Sequence, residues 1–265
     1  MELLIYLVLG AAAGVISGLF GLGGGVIIVP ILILAFGMQG ISADVATHLA
    51  LGTSLATIAV TSIPSIYTHA QRGTVRWDLV RWISPGIILG AILGGYAAIS
   101  LSAVWLQSLL GLFFVAVAIQ LLFYPPAQAS RHEPRQAGLL FAGTGIGSLS
   151  ALFGIGGGSL TTPFLTYFGV RIHQAVGTAA ACGFPIALFS SLVYGSSQTG
   201  AGNLPDWSLG LIFLPAWLGI VVCSVPAARF GALIAHRLDD AKLKRLFAVL
   251  MLLVGLRYIW TNWNF

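Results

Sequence analysis

The sequence has little charge: only 7% of its 265 residues are Asp, Glu, Lys or Arg. Soluble domains carry roughly 25% charged residues, so this chain lacks the polar surface that would cover a globule in water. Hydrophobic residues make up 58% of the chain, and its mean hydropathy is +0.98. Several apolar runs reach the length of about 20 residues that a helix needs to cross a bilayer. The composition therefore excludes a soluble globular domain and predicts an all-α, multi-pass integral membrane protein.

Cysteine is also scarce, and basic residues are not clustered. Cys182 and Cys223 lie in apolar segments without a CxxC spacing, so we expect packing residues rather than a disulfide or a metal site. The net charge of +5 comes from 12 basic residues scattered between apolar runs, with no basic block interleaved with aromatic residues. We therefore expect no metal, no cofactor and no nucleic-acid partner, and a lipid bilayer as the surroundings.

Glycine, in contrast, is concentrated in two similar stretches, each with a triple glycine followed by a proline. The first, "GLFGLGGGVIIVP", ends at Pro30, and the second, "ALFGIGGGSLTTP", ends at Pro163, 133 residues later. A second shared pattern, H-x-A-x-G-T, begins at His48 and again at His173, 125 residues later. Matches that span nearly the whole chain indicate an internal duplication.

The duplication divides the chain into an N-terminal repeat (1–123), a polar, proline-rich linker (124–136) and a C-terminal repeat (137–265). Each repeat has five apolar segments, near residues 3–20, 24–37, 45–69, 79–99 and 104–123, and near 137–153, 156–169, 175–198, 208–228 and 243–262. The triple glycine interrupts the first pair of segments. We therefore predict, in each repeat, one glycine-broken helix pair and three further transmembrane helices.

The basic residues predict how the two repeats lie in the membrane. The loop around residues 71–81 contains three arginines, whereas the equivalent loop around residues 199–206 contains no basic residue. The next loop reverses this, because residues 100–104 have none and residues 229–245 have five. Cytoplasmic loops collect Lys and Arg, so equivalent loops must face opposite sides and the duplication must be an inverted repeat. The linker then lies in the cytoplasm, both termini lie outside it, and each half crosses the membrane an odd number of times.

The triple glycines predict a binding site for an anion. A broken helix is tolerated inside a bilayer only beside protein, a cavity or a ligand, because its unpaired backbone groups have no water to bind. A new helix begins after each triple glycine, and the N–H groups at a helix start attract anions. We expect the two starts to face each other near the midplane, as in transporters built from inverted repeats. The predicted substrate-binding glycines are Gly23, Gly24, Gly25, Gly156, Gly157 and Gly158.

Two alternatives stay open for the glycines and the broken pairs. Gly10, Gly14 and Gly18 recur at every fourth position, as do Gly143 and Gly147, and such small-x3-small patterns usually indicate close helix packing. The same patterns would permit a homodimer. Each broken pair can be two short spans or a re-entrant hairpin.

The H-x-A-x-G-T elements open the third segment of each repeat and supply further candidates. The candidate substrate-binding hydroxyls are those of Thr53, Ser54 and Thr178. The alternative for them is a hydroxyl that bonds back to the carbonyl four residues earlier. For His48 and His173 we expect a helix-start role near the interface, with Asp44 beside His48, and proton coupling is the alternative.

The paired "GLFGLGGGxxxxP" and "ALFGIGGGxxxxP" elements, each followed by A-x-G-T-S/A, resemble those of the sulfite exporter TauE/SafE family of membrane permeases. The resemblance covers the whole chain. It implies a bacterial or archaeal inner-membrane carrier for sulfite, organosulfonates or related sulfur oxyanions, with the glycine turns and the Thr/Ser positions above as its functional elements. The second repeat departs from the first at Ala179, which stands where the first has Ser54.

We therefore expect a secondary transporter that binds a small sulfur-containing anion between the broken helices and exposes it alternately to the two sides. We expect no catalytic residues, since the chain has no HExxH motif, no nucleophile elbow and no nearby Ser–His–Asp set. The alternatives are an anion channel with the same pocket, an intramembrane enzyme that uses a Ser or His, and a structural scaffold.

Overall fold

A computed structural model describes residues 2–20, 25–123, 136–199, 204–235 and 240–263. These residues form ten α-helices and one short β-hairpin. The helices are α1 (Glu2–Phe20), α2 (Gly25–Met38), α3 (Ala43–Gln71), α4 (Trp77–Ser100), α5 (Ala103–Phe123), α6 (Gln136–Phe153), α7 (Gly158–Tyr167), α8 (Ile172–Ser196), α9 (Leu214–Ala235) and α10 (Asp240–Trp263). The prediction of an all-α architecture is confirmed for the described residues, and most of the predicted linker lies outside them.

Five of the described helices are long and apolar enough to cross a bilayer: α3, α4, α5, α6 and α8. The protein is therefore a multi-pass membrane protein by the length and composition of its helices. The helices that follow the glycine stretches are shorter, with 14 residues in α2 and 10 in α7. At a rise of 1.5 Å per residue they are about 21 Å and about 15 Å long, less than the hydrocarbon thickness of about 30 Å.

The break between α6 and α7 has a defined backbone structure. Gly154 has a left-handed backbone with φ of +67°, which glycine adopts without a steric penalty. Its N–H donates to the carbonyl of Ala151, and the N–H of Ile155 donates to the carbonyl of Ser150 at 2.9 Å. This pair of bonds is a Schellman motif, which ends α6 by binding carbonyls that the helix leaves free.

The start of the fourth segment of the second repeat, near residue 208, is a hairpin rather than a helix. Strand β1 (Ser208–Leu209) pairs with β2 (Ile212–Phe213), and α9 begins only at Leu214. Trp207 and Gly210 have positive φ angles of 66° and 53°, which a right-handed helix does not contain. The helix therefore starts about two turns later than its apolar composition suggests.

Helices of the two halves pack on one another in a reciprocal pattern. α1 packs along α9, and α6 packs along α4, while α3 packs on α8 and α5 on α10. A Cβ at Gly10 would lie 2.7 Å from Cα of Ile220, and one at Gly143 would collide with the carbonyl of Ile83. The helix-packing interpretation of these spaced glycines is therefore confirmed.

The largest apolar cluster surrounds the end of α6. It includes side chains from α2, α3, α5 and α8 as well as α6. Its large members include Val29, Leu51, Leu55, Phe114, Phe153 and Tyr194. The glycine break is thus enclosed by packed side chains and not placed at the edge of the bundle.

Candidate functional site

The start of α2 lies directly against the break between α6 and α7. A Cβ at Gly25 would lie 2.8 Å from the carbonyl oxygen of Gly154 and 3.0 Å from Cα of Ile155. Gly25, the first residue of α2, therefore touches the glycine turn of the second half, as expected if the two broken helices meet. Gly23 and Gly24 lie outside the described residues.

The start of α7 is lined by α8. A Cβ at Gly157 would lie 2.6 Å from Cδ1 of Ile186, 3.2 Å from Oγ1 of Thr161 and 3.5 Å from the backbone nitrogen of Gly183. The N–H groups of Leu160 and Thr161 both donate to the carbonyl of Gly157. Gly158 is the first residue of α7, so its N–H belongs to the first turn, where amides have no carbonyl partner within the helix.

Ser54 contacts the break itself. It is fully buried on α3, and its hydroxyl donates to the carbonyl oxygen of Gly154 at 2.9 Å. The hydroxyl that we predicted to bind an anion therefore holds the turn of the other half in place. The second half has Ala179 at the equivalent position, which cannot make this bond.

Thr53 and Thr178 play matching roles at the starts of two helices. Thr53 accepts the backbone N–H of Phe213 at 3.0 Å, one residue before α9, and Thr178 accepts that of Arg76 at 3.0 Å, one residue before α4. Both threonines are fully buried. Neither hydroxyl bonds back to its own helix, nor to the described turn at residues 154–157, so their predicted contact with an anion stays a prediction.

The glycines that precede these threonines permit the contact. A Cβ at Gly52 would collide with the carbonyl oxygen of Leu211, and one at Gly177 would lie 2.5 Å from Oγ1 of Thr74. In each H-x-A-x-G-T element, the Gly-Thr pair therefore docks the chain before the fourth helix of the other half. The motif has a structural use that its spacing alone did not indicate.

The two histidines differ in their surroundings. His48 is only 7% exposed; its Nδ1 lies 2.8 Å from the backbone carbonyl oxygen of Asp44, and its Nε2 lies 3.0 Å from that of Leu101. It therefore bonds to the main chain of Asp44 and ties α3 to the chain that follows α4. His173, at the second position of α8, is exposed. The helix-start role near the interface stays our prediction for them, and proton coupling stays the alternative.

Several buried hydroxyls near the break, among them those of Thr161, Ser150 and Ser190, were not predicted as ligands. Thr161, Ser150 and Ser190 are fully buried, and their oxygens have no hydrogen-bond partner among the described residues. Ser150 matches Ser17 at the 133-residue offset of the repeat, but such a match does not by itself indicate a ligand. The periodicity and spacing of residues in the sequence do not show whether a hydroxyl lacks a hydrogen-bond partner, because its partner depends on how helices distant in sequence pack.

The helices around the break bring no charged group to it from their middle parts. α2, α6 and α7 contain no Asp, Glu, Lys, Arg or His at all. The Asp, Glu, Lys, Arg and His residues of α3 and α8 are Asp44, His48, His69 and His173, which lie in the first two turns or the last turn of their helices. Any anion at the break would therefore be bound by backbone N–H groups, helix dipoles and hydroxyls.

Comparisons with known proteins match nearly the whole chain. The family model described as Sulfite exporter TauE/SafE matches residues 6–258. A "Probable membrane transporter protein" of Haemophilus influenzae is 33% identical over 255 residues, which cover 96% of this chain and 97% of that protein.

More distant relatives also match along nearly their whole length. "Probable membrane transporter protein MJ0441" of Methanocaldococcus jannaschii is 25% identical over 95% of this chain and 93% of that protein. "Probable membrane transporter protein YunE" of Bacillus subtilis is 27% identical over 98% of both. No solved structure matches. The chain therefore belongs to the sulfite exporter TauE/SafE family of membrane proteins.

Proposed function

We propose that this protein is a secondary transporter of a small sulfur-containing anion, sulfite or an organosulfonate, in the inner membrane of a prokaryotic cell. The family description and the names of the relatives support membrane transport. The observation that carries the proposal is the contact of Gly25 with the turn at Gly154, which brings the start of α2 against the glycine break of the second half. In this proposal the protein has no catalytic residues.

The anion binds at the glycine turns. Their glycines leave the backbone open to a ligand, and α7 directs its first amides toward the break. Gly23, Gly24, Gly25, Gly156, Gly157 and Gly158 supply the backbone of the site. Ser54 positions the turn at Gly154, and Thr53 and Thr178 position the helices that enclose it.

The length of α7 supports a site near the midplane. The helix begins beside the break and ends at Tyr167, shortly before the exposed Arg171. A charged, exposed side chain belongs at the membrane surface, and about 15 Å of helix reaches half-way through a hydrocarbon layer of about 30 Å. The break then lies deep in the bilayer.

The two repeats, 1–123 and 137–265, are inverted about this site and joined by the cytoplasmic linker at 124–136. Equivalent contacts at the helix interfaces support this relation. In one interface, Gly10 lies against Ile220. In the other, Gly143 lies against the turn of α4 that contains Ile83 and Ile87. Gly143 follows Gly10 by 133 residues, and Ile220 follows Ile87 by the same number.

Rocking of one repeat against the other would open the site alternately to each side. In this proposal residues 71–81 and 229–245 lie in the cytoplasm and both termini lie outside it, which the distribution of Lys and Arg among the loops supports. Helices of one half pack on helices of the other: α1 packs on α9, and α6 packs on α4. These helix interfaces are surfaces along which the two halves can move relative to one another.

Counterflow in proteoliposomes tests the transport proposal. Vesicles that contain the protein and are loaded with unlabelled sulfite are diluted into a trace of labelled sulfite. A carrier concentrates the label transiently inside the vesicles, because exchange is faster than net loss. A channel gives equilibration without overshoot, and a protein that does not transport sulfite or sulfonates gives the background of empty vesicles.

A further inference from the structure

Three unpaired hydroxyls gather around the break between α6 and α7. Those of Thr161, Ser150 and Ser190 are fully buried and have no hydrogen-bond partner among the described residues. Buried polar groups in folded proteins are nearly always paired, because an unpaired one destabilises the fold. Eight buried side-chain polar atoms of the described residues lack a partner, and four of them are hydroxyls on α6, α7 and α8: these three and that of Ser159. The position of the three fully buried ones around the break favours a ligand that completes their bonds.

Thr161 and Ser150 lie on the two sides of the break. Oγ1 of Thr161 would be 3.2 Å from a Cβ at Gly157, so this hydroxyl lies beside the residue that precedes α7. Ser150 is in the last turn of α6, where its carbonyl accepts the N–H of Ile155. One hydroxyl thus adjoins the start of α7 and the other adjoins the end of α6.

Ser190 lies on the face of α8 that covers the break. Ile186, one turn earlier, approaches Gly157, and Tyr194, one turn later, donates its hydroxyl to the carbonyl of Ala151 at 3.2 Å. Residues four apart share one face of a helix. The hydroxyl of Ser190 is therefore on the same side of α8 as both contacts.

We propose that these three hydroxyls, with the amides that open α7, form a charge-neutral site for a singly charged oxyanion. This inference rests on the transport function proposed above and narrows its substrate class. The helices α2, α6 and α7 contain no Asp, Glu, Lys, Arg or His, and residues 21–24 are Gly, Leu, Gly and Gly. Hydroxyls and amides offset one negative charge, whereas a buried dianion without a cation costs far more, because the desolvation energy grows with the square of the charge.

Hydroxyl groups also suit a protonated oxyanion. A Ser or Thr hydroxyl both donates and accepts, so it can bind the S–O⁻ oxygens and the acidic proton of hydrogensulfite, which an ammonium group cannot do. The site should therefore take a sulfonate or hydrogensulfite and reject sulfate and the sulfite dianion.

Calorimetric titration of the full chain in detergent tests the site, with methanesulfonate, sulfite and sulfate as probes. We expect Thr161→Val and Ser190→Ala each to weaken methanesulfonate binding about tenfold to one-hundredfold, the range for a hydrogen bond to a charged group. Thr161→Ser keeps the hydroxyl and should keep the affinity. Unliganded Thr161→Val and Ser190→Ala proteins should be as thermally stable as wild type, or more so, since each loses an unpaired buried oxygen.

The matched controls are Thr166→Val and Ser191→Ala. They lie on the same two helices, but their hydroxyls already donate to carbonyls of their own helix, at 3.0 Å and 2.9 Å. We expect no change in methanesulfonate affinity from either control.

For the wild type, we expect the affinity for sulfite to rise as the pH falls, because a lower pH converts the sulfite dianion to hydrogensulfite.

Each contrary result has a distinct meaning. Variants that bind methanesulfonate as wild type does, or wild type that binds sulfate equally tightly, would overturn this inference and leave the transport proposal intact. Wild type that binds neither methanesulfonate nor sulfite at any pH would overturn both.

Discussion

The hydroxyl of Ser54 on α3 donates to the carbonyl oxygen of Gly154 at 2.9 Å, across 100 residues of sequence. The bond joins the H-x-A-x-G-T element of the first half to the glycine turn of the second. It supplies a donor to the carbonyl of the buried Gly154, which lies among apolar side chains that include Leu51 and Val29. The position of this turn therefore depends on a residue from the other half of the chain.

Replacement of Ser54 by Ala should destabilise the protein. The substitution leaves the Gly154 carbonyl without its donor in an apolar environment, which costs about 1–3 kcal/mol. Thermal unfolding in detergent measures the loss. Ser100→Ala is the control, because its exposed hydroxyl bonds within its own helix and should matter little. Equal melting temperatures for Ser54→Ala and wild type would contradict the assigned role.

Thr53→Val and Thr178→Val should have similar effects, because each leaves one backbone N–H before a helix without its acceptor. We expect a loss of about 1–3 kcal/mol for each. Thr53→Ser and Thr178→Ser retain the oxygen and should restore most of the stability. If the two threonines only hold the helix starts in place, the folded variants bind sulfite about as tightly as wild type does. A loss of sulfite affinity at unchanged stability would instead show that these threonines are ligands.

Leucine at Gly147 should disrupt packing, whereas leucine at Gly145 should be tolerated. A Cβ at Gly147 would lie 2.9 Å from the backbone nitrogen of Ala91 on α4, while one at Gly145 meets no atom within 4 Å. Overpacking of this kind costs about 1–3 kcal/mol or more. Size-exclusion profiles and melting temperatures of the two variants, on the same helix and two residues apart, measure the difference. Comparable behaviour would show that α4 and α6 do not pack in this way.

Single cysteines should label from opposite sides of the membrane if the repeats are inverted. Gln71→Cys lies at the end of α3, and Thr199→Cys lies shortly after α8, at the equivalent end in the second half; both sites are exposed. In a background with Cys182→Ala and Cys223→Ala, an impermeant thiol reagent should reach residue 199 in intact spheroplasts. It should reach residue 71 only after permeabilisation. Labelling of both from one side would rule out the inverted arrangement.

The sequence predicts the helices well because their signals are local. Long apolar runs, triple glycines and breaks at loops identify ten segments, and each overlaps a described helix. The exception is the hairpin before α9. It depends on a left-handed backbone conformation at Trp207, which the residue type tryptophan does not predict. Apolar composition alone does not distinguish a buried hairpin from the first turns of a helix.

The candidate site was less predictable because its contacts join distant parts of the chain. The hydroxyl of Thr53 accepts a hydrogen bond from a backbone N–H 160 residues away, and that of Thr178 accepts one from a backbone N–H 102 residues away. Both choices depend on how the halves pack, which no local pattern encodes. Repeat symmetry pointed to the two glycine stretches, but it could not tell a hydroxyl with a protein partner from one without.

The central claim is that an anion binds at the glycine break, and the most direct test is the rise in melting temperature that sulfite produces in the purified protein. A larger side chain at Gly157 fills the space beside Thr161, so Gly157→Leu and the milder Gly157→Ala are compared with wild type and with Gly145→Leu. The account predicts that sulfite stabilises wild type and Gly145→Leu, and that folded Gly157 variants lose most of this shift. Absence of a shift in wild type, or an equal shift in the Gly157 variants, would contradict it.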